Sequence, residues 1–430
     1  MHASANKPSA PWPDATRLHQ LQRDKLAAML GYIRARNPFW QERLGGGSFD
    51  PTADPLDRLP LTTRGDLQDD QRRHPPFGTN LSEPLACCTR YHQTSGTNAS
   101  PLRFCDTPRS WRWWLACWRT IYHAAEIRPP DRIVFPFSFG PFVGFWSAFD
   151  AAAQMGCMAL PAGGMSTTAR LRYIIDNGAD VVCCTPTYAL RLAEVATAEN
   201  IDITASPVRA LIVAGEPGGN IPATRERIET AWGARVYDHV GMTEVGPWGF
   251  ECSQSPGTVH VNELQFIGEL IDPCTGCASH GDTGELVLTN LGRWTCPVIR
   301  YRTGDQVRLR RGVCACGRSD VQLVGGVLGR VDDMITIRGN NVFPAAIEHI
   351  VLGFANVAEF RIVVASCGSL DQLTLEIEPQ PHATTTTADL VAALRRAIRD
   401  TLHFGVTVRT VKPGSLPRPQ MKSNRLHRKA

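Results

Sequence analysis

Between residues 133 and 237, short apolar runs recur between stretches of helical length, and this alternation constrains the fold more than any other feature of the chain. The runs are Ile133–Phe137, Ala159–Pro161, Val181–Cys184, Ala210–Val213 and Arg235–Tyr237. Strands alternating with helices make an α/β sheet with helices on its faces. From 258 to 327 the pattern changes to short strands and turns, with strands expected at Gly284–Thr289, Val298–Tyr301 and Val307–Leu309. After Gly329 about 100 residues remain, enough for a small domain of their own. They show strands at Met334–Arg338, Glu359–Val364 and Leu373–Glu376 and helices near 344–353 and 388–403. Ahead of the sheet, Leu18, Leu21, Leu26, Met29, Leu30, Tyr32 and Ile33 predict an amphipathic helix within 16–43, and 45–85 reads as loop with short helices. The expected class is therefore α/β. A large multi-subdomain α/β domain with a β-rich portion spans 1–328, and a small α+β C-terminal domain spans 329–430, since 430 residues exceed what one core supports.

Charge excludes some functions. Lys plus Arg number 45 against 41 for Asp plus Glu, and a net +4 makes no case for nucleic acid or an anionic membrane as partner. The most apolar stretch, Phe135 to Phe149, contains Pro and Gly and falls short of the roughly 20 apolar residues of a spanning helix, so it is expected in the core. The opening MHASANKPSAPWPDATRLHQ has no apolar run behind a basic start, so a cytoplasmic location is expected. The 14 cysteines should then stay thiols, serving as metal ligands or core fillers.

Three segments carry chemistry. In Tyr91 to Pro101, Thr94, Ser95, Gly96 and Thr97 form a turn whose N–H and O–H groups can converge on phosphate oxygens, although the same residues suit a plain loop. Gly215-Glu216-Pro217-Gly218 is followed by Val236 to Gly246. There Tyr237 and Asp238 can stack on and hydrogen-bond a purine, and Thr243-Glu244 can hold phosphate and Mg²⁺. A buried tyrosine and a solvated glutamate are the bland alternatives. Arg300-Tyr-Arg-Thr-Gly-Asp305 offers a carboxylate suited to a ribose diol, and Gly329-Arg330-Val-Asp332-Asp-Met with Asn341-Val-Phe-Pro344 follows it.

Taken in this order, the segments resemble the acyl-adenylate-forming (AMP-binding) superfamily, and most closely its phenylacetate–CoA ligase branch. Tyr237-Asp-x-x-Gly-x-Thr-Glu244, Pro297-Val-Ile-Arg-Tyr-Arg-Thr-Gly-Asp305 and Gly329-Arg-x-Asp-Asp-Met334 carry the likeness, which runs from about residue 20 to the end. The resemblance implies that Thr94 to Thr97 embrace the ATP phosphates, and that Glu216, Tyr237 and Asp238, with Gly215 and Pro217, form the adenine pocket. It implies Mg²⁺ at Thr243 and Glu244, ribose at Asp305 and Arg330, and a hinge at Asp332 about which a mobile C-terminal lid turns. It also implies a catalytic lysine near the C-terminus, which falls on Lys422; a fixed ammonium there stabilises the charge that develops as a carboxylate attacks phosphorus. The chain departs from the pattern in two places: Asn98-Ala99-Ser100 lacks the basic residue of the phosphate loop, and Met421 replaces the glycine before the lysine.

Cys252, His260, Cys314 and Cys316 suit a tetrahedral structural Zn²⁺, with Cys274-x-x-Cys277 as a competing pair; Cys183 and Cys184 sit in an apolar run and read as core. An acid pocket is expected from Phe139 and Gly140, within the aromatic run Phe137 to Trp146, together with Tyr188 and Gly241, forming a slot for an aromatic acid. The expected reaction joins a carboxylic acid to AMP and passes the acyl group to coenzyme A. Transfer to an amine, a hydroxyl or a carrier-protein thiol, or a catalytically silent nucleotide- or acyl-binding relative, stay open as alternatives. The oligomeric state also stays open, a homodimer among the options.

Overall fold

A computed structural model of the chain describes residues 12–94, 100–331, 335–337, 340–342, 344–367, 370–380, 386–402, 404–417 and 425–429. Helix α1 (Ala15–Arg34) starts where Asp14 accepts the Arg17 N–H, and it buries Leu18, Leu26, Met29, Leu30 and Ile33 on one face. The helix expected within 16–43 ends at 34. Asn37 caps a separate helix α2 (Pro38–Leu44) by accepting the Trp40 N–H, because a proline is tolerated at a first turn and breaks an interior. Both helices dock on sequence-distant chain: Gln22 donates to the carbonyls of Glu263 and Phe266, and the Trp40 indole donates to that of Pro297. Helix α3 (Arg64–Arg73) opens with a capping box between Thr63 and Asp66.

A two-stranded antiparallel sheet, β1 (Arg90–Gln93) and β2 (Arg103–Asp106), leads into α4 (Pro108–Ala124), which buries Trp111, Trp113, Trp114 and Trp118. The expected alternation follows: β3 (Arg132–Phe135), α5 (Trp146–Met155), β4 (Met158–Pro161), α6 (Thr167–Asp176), β5 (Val181–Cys184), α7 (Pro186–Ala198), β6 (Ala210–Ala214), α8 (Pro222–Trp232) and β7 (Arg235–Met242). The chain then doubles back through β8 (Gly246–Glu251), β9 (Thr258–Val261), β10 (Phe266–Ile271), β11 (Thr283–Asn290), β12 (Tyr301–Arg310) and β13 (Gln322–Arg330). These strands form one sheet in the order β10-β11-β12-β13-β9-β8-β7-β6-β5-β3-β4, parallel from β7 to β4 and antiparallel from β10 to β7. Val298–Arg300 is not the start of a strand: Arg300 has φ +46° and the ladder resumes only at Tyr301.

Apolar clusters cover both faces, and adjacent residues divide between them as strand geometry requires: Cys183 lies in one cluster and Cys184 in the other, both buried as expected. The C-terminal part comprises β14 (Ile335–Ile337), β15 (Asn340–Val342), α9 (Pro344–Leu352), β16 (Val357–Cys367), β17 (Leu370–Pro379), α10 (Thr387–Leu402), β18 (Thr407–Thr410) and β19 (Leu426–Lys429). Its four-stranded sheet, ordered β18-β17-β16-β19, has a core of its own around Ile347, Leu375, Leu394 and Ile398. Strand β13 runs on to Arg330, so the expected division after 328 falls inside a strand of the large sheet.

Candidate active site and metal centre

Thr243 and Glu244 occupy the tight reversal between β7 and β8, where the sheet changes from parallel to antiparallel. Gly246 has φ +127°, and a Cβ there would lie 2.8 Å from the Trp113 ring, so the reversal requires glycine. Arg293 holds this turn from below. Its guanidinium donates to the carbonyls of Thr243 at 2.6 Å and Glu244 at 3.2 Å, and forks onto both oxygens of Asp106 at 2.8 and 2.7 Å. The ion pair is fully buried, with Phe104 and Trp114 against the guanidinium. A bidentate pair without water fixes geometry more firmly than a solvated one.

The Glu244 carboxylate accepts from Arg64 at 2.8 Å, and Arg64 also donates to the Thr94 hydroxyl at 3.2 Å. Burial pushes the Glu244 pKa up, while its own backbone N–H and Arg64, Arg330 and Arg293 pull it down. On the facing wall, Asp305 and Arg330 are cross-strand partners in register, joined at 3.1 Å, and Arg330 donates to the Thr303 carbonyl at 2.8 Å. Glu285 orients Arg302 by accepting from its guanidinium and accepts the Gly304 N–H at 3.2 Å. Arg64, Glu244, Tyr301, Arg302, Gly304 and Arg330 line a cavity of about 300 Å³. Three guanidinium groups beside the buried carboxylates of Glu244 and Glu285 suit a polyphosphate bound with a divalent cation.

At the adjoining strand ends, Gly215 takes φ +94°, and Glu216 accepts the Thr187 N–H at 2.8 Å as well as its hydroxyl. Asp238 is buried and accepts from the Asn220 amide; desolvation and then Glu251 push its pKa well above the carboxylate range.

The far side of the same sheet carries the second cluster. Cys252 follows β8, His260 lies on β9, and Cys314 and Cys316 lie between β12 and β13; their ligand atoms all fall within 4.8 Å of one another. Cys252 Sγ and Cys314 Sγ are 3.8 Å apart, as are Cys316 Sγ and His260 Nε2. A Zn–S bond of about 2.3 Å gives a tetrahedral S···S edge of about 3.8 Å, so the donor set fits zinc in type and spacing. His260 Nδ1 lies 4.0 Å from Asp320 Oδ2, and both atoms are buried. That arrangement places a carboxylate behind a ligating imidazole. Cys274 and Cys277 are exposed in the β10–β11 loop, outside the cluster.

Comparison with known proteins agrees with this geometry. Residues 339–429 match the family model described as the AMP-binding enzyme C-terminal domain. A phenylacetate-coenzyme A ligase of Pseudomonas putida is 31% identical over 85% of this chain and 82% of its own length. The chain belongs to the phenylacetate–CoA ligase family. Another such ligase, from Thermus thermophilus, is 29% identical over 94% of both chains. A 2-hydroxyisobutyryl-CoA ligase in its postadenylation state, bound to an acyl-AMP, overlays with a TM-score of 0.91 at 27% identity, covering 100% of this chain and 95% of that one. The same ligase in its thioesterification state overlays at 0.73.

Within this ligase family member, Glu244 and Arg330 line one pocket, to which Thr94 is tied through Arg64 and Asp305 through Arg330, with Glu216 following β6 and Asp238 within β7. Ser95, Gly96, Thr97, Asp332 and Lys422 lie outside the described residues. Two expectations are corrected. Tyr237 is 5% exposed within the core cluster on the α4 side; next to Asp238 on a strand it must face the opposite way, so its ring does not stack on a purine held by Asp238. Tyr188 is 4% exposed in the other cluster, and its hydroxyl takes a hydrogen bond from Arg170 at 2.9 Å, so it braces the core. Phe139 packs on Phe137, Trp146 and Phe149, and the Gly140 carbonyl accepts the Trp146 indole N–H at 2.9 Å, which makes an aromatic wall. A Cβ on Gly241 would lie 3.3 Å from His239 Nε2. His239 is buried, donates from Nδ1 to the Gly249 carbonyl at 2.7 Å, and stays neutral because burial lowers its pKa to about 4. Sequence reasoning missed Arg64, Arg293 and His239, which no local pattern distinguishes. Among the described residues no helix is long and apolar enough to cross a membrane.

Proposed function

We propose that this chain activates a carboxylic acid with ATP as an acyl adenylate and transfers the acyl group to coenzyme A. The observation that carries the reading is the convergence of Arg64, Glu244 and Arg330 on one cavity, with Asp305 bonded to Arg330, in a chain of the phenylacetate–CoA ligase family. In the first step a carboxylate oxygen attacks the α-phosphorus and pyrophosphate leaves; in the second the thiol sulfur attacks the acyl carbon and AMP leaves. Charge accumulates on the equatorial phosphate oxygens during the first step, where fixed cations lower the barrier most.

The roles follow from placement. Glu244, with Thr243, holds Mg²⁺ when it is bound, and the metal neutralises the polyphosphate there. Arg64 supplies the cation that Asn98-Ala99-Ser100 does not, Thr94 to Thr97 wrap the phosphates, Asp305 and Arg330 take the ribose, and Glu216 and Asp238 take the adenine edge. Lys422 bridges carboxylate and α-phosphate. Cys252, His260, Cys314 and Cys316 would hold a structural zinc, which would tie the β8–β9 turn to the β12–β13 loop. The aromatic wall at Phe137, Phe139 and Trp146 favours an aromatic acid. We place the division between body and lid after β13 rather than inside it.

The test is acid-dependent pyrophosphate release across aryl and aliphatic acids, with product mass spectrometry with and without coenzyme A. Release with acyl-CoA formation is expected. Release that leaves acyl-AMP as end product would replace coenzyme A by another acceptor, and no release from any acid would overturn the reading.

A further inference from the structure

Helix α8 starts on the large sheet, yet its N-cap residue Ile221 is 6% exposed because it is buried in the apolar core of the C-terminal part, with Ile347, Val351 and Phe360. One turn further, Thr224 and Arg227 line a cleft of about 50 Å³ whose opposite wall carries Val351, Glu359 and Arg425. Within that wall Arg425 donates to Glu359 at 2.8 Å, and its guanidinium lies 4.5 Å over the Phe360 ring. Arg227 faces Glu194 from its own side and both Glu359 and Arg425 from the other. Burial disfavours its charge, the two glutamates favour it and Arg425 opposes it. The same stretch begins at Glu216 and runs through Asn220, which is bonded to Asp238 and packed so tightly on Gly326 that a Cβ there would lie 2.0 Å from the amide nitrogen.

We infer that Ile221 and Arg227 are positioning residues that seat the C-terminal unit in its acid-activating arrangement and thereby set which half-reaction the enzyme performs. The inference rests on the two-step reading above. The seat has one occupied geometry: an apolar side chain of the body inserted into the lid core, ringed by charges from both sides. The overlay agrees with this, since the chain matches the postadenylation state of 2-hydroxyisobutyryl-CoA ligase at a TM-score of 0.91 and its thioesterification state at 0.73. Turning the lid strips Ile221 from its pocket and separates Arg227 from Glu359. A ligand or mutation shifts a two-state equilibrium only through contacts that differ between the states, and these contacts differ. The placement of Glu216 and Asp238 at the other end of the segment ties nucleotide occupancy to the seat.

The experiment uses the full-length chain with Ile221→Ala, Arg227→Gln and the conservative Ile221→Val. Pyrophosphate release is followed with whichever of phenylacetate, benzoate or 2-hydroxyisobutyrate the wild type turns over best. Thioester formation is followed separately from the chemically prepared acyl-AMP of that acid and coenzyme A. Energy transfer between a donor on the body and an acceptor on the lid reports the seat without any substrate. Pyrophosphate release should fall by about 10- to 100-fold in Ile221→Ala and less in Arg227→Gln, with thioester formation from supplied acyl-AMP held within about threefold or faster. The energy-transfer distribution should move away from the wild-type value, and Ile221→Val should restore most of both. An equal fall in both half-reactions, or an unchanged distribution, overturns the proposal. If the wild type releases no pyrophosphate with any acid, the two-step reading fails, and the energy-transfer shift still decides the seat by itself.

Discussion

The zinc-type corner and the glutamate pocket are both buried polar clusters on the same sheet, but their parts are gathered differently. At the corner, Cys252 and Cys314 are 62 residues apart, the donors come from neighbouring strands and one loop, and they lie at ligand spacing in the folded chain. Around Glu244, the groups that aim and face the carboxylate come from 180 residues away at Arg64, and Arg293 is itself held by Asp106, 187 residues distant. The corner is a local clasp; the pocket depends on the whole body closing correctly. Damage at the corner should therefore stay local in chemistry, and damage beneath the pocket should cost both fold and turnover.

The largest expected effect is Arg293→Met, which leaves Asp106 buried and unpaired: stability by urea unfolding should drop by about 3–5 kcal/mol. Pairing it with Asp106→Leu should restore stability but not pyrophosphate release, because the Thr243 and Glu244 carbonyls still lack their donor. Recovery of turnover in the double variant would show that the turn holds itself. Next, Cys314→Ser should abolish zinc in elemental analysis and cost stability on the order of 3 kcal/mol, with ATP affinity from calorimetry changed less than about twofold. A collapse of ATP binding there would break the contrast by showing the clusters coupled.

Arg64→Ala should slow pyrophosphate release about 10- to 100-fold while moving the melting temperature little, since a part-exposed ion pair contributes at most about 1 kcal/mol to stability. An unchanged rate would remove Arg64 from phosphate binding. The smallest effect concerns pH. His239 has a pKa of about 4 in the fold against about 6.5 unfolded, so the unfolded chain binds more protons between those values and stability falls as pH drops through that window. The loss is about 1.4 kcal/mol at pH 5.5 relative to pH 8, and His239→Gln, which can still donate to Gly249, should remove that share of the slope.

The same contrast governs what could be read beforehand. Cysteine and histidine are chemically distinctive, so the four donors of the cluster stood out, and setting Cys274 and Cys277 apart needed only their exposure. Asp305 and Arg330 were legible because each sits in its own dense motif, although nothing in either segment says that they pair across β12 and β13. Arg64 and Arg293 are 2 of 45 basic residues, and their partners lie far along the chain, where spacing rules do not reach. Tyr237 was misassigned because its neighbour's role was extended to it, against the alternation of a strand. The parallel half of the sheet followed the apolar runs closely. The break at Pro38 and the turn at Arg300 did not show in periodicity, because each is set by one residue's backbone conformation.

The docking of α1 has a further consequence for how the protein is made. Gln22 finds its partners at Glu263 and Phe266, and Trp40 finds Pro297, so these contacts wait until some 240 later residues have emerged. At about 5–20 residues per second these bonds wait for roughly 12–50 s of synthesis. Helix α1 is thus tied to the large sheet only once the antiparallel half of that sheet is being made, and a nascent chain stalled before residue 263 leaves Gln22 without its partners.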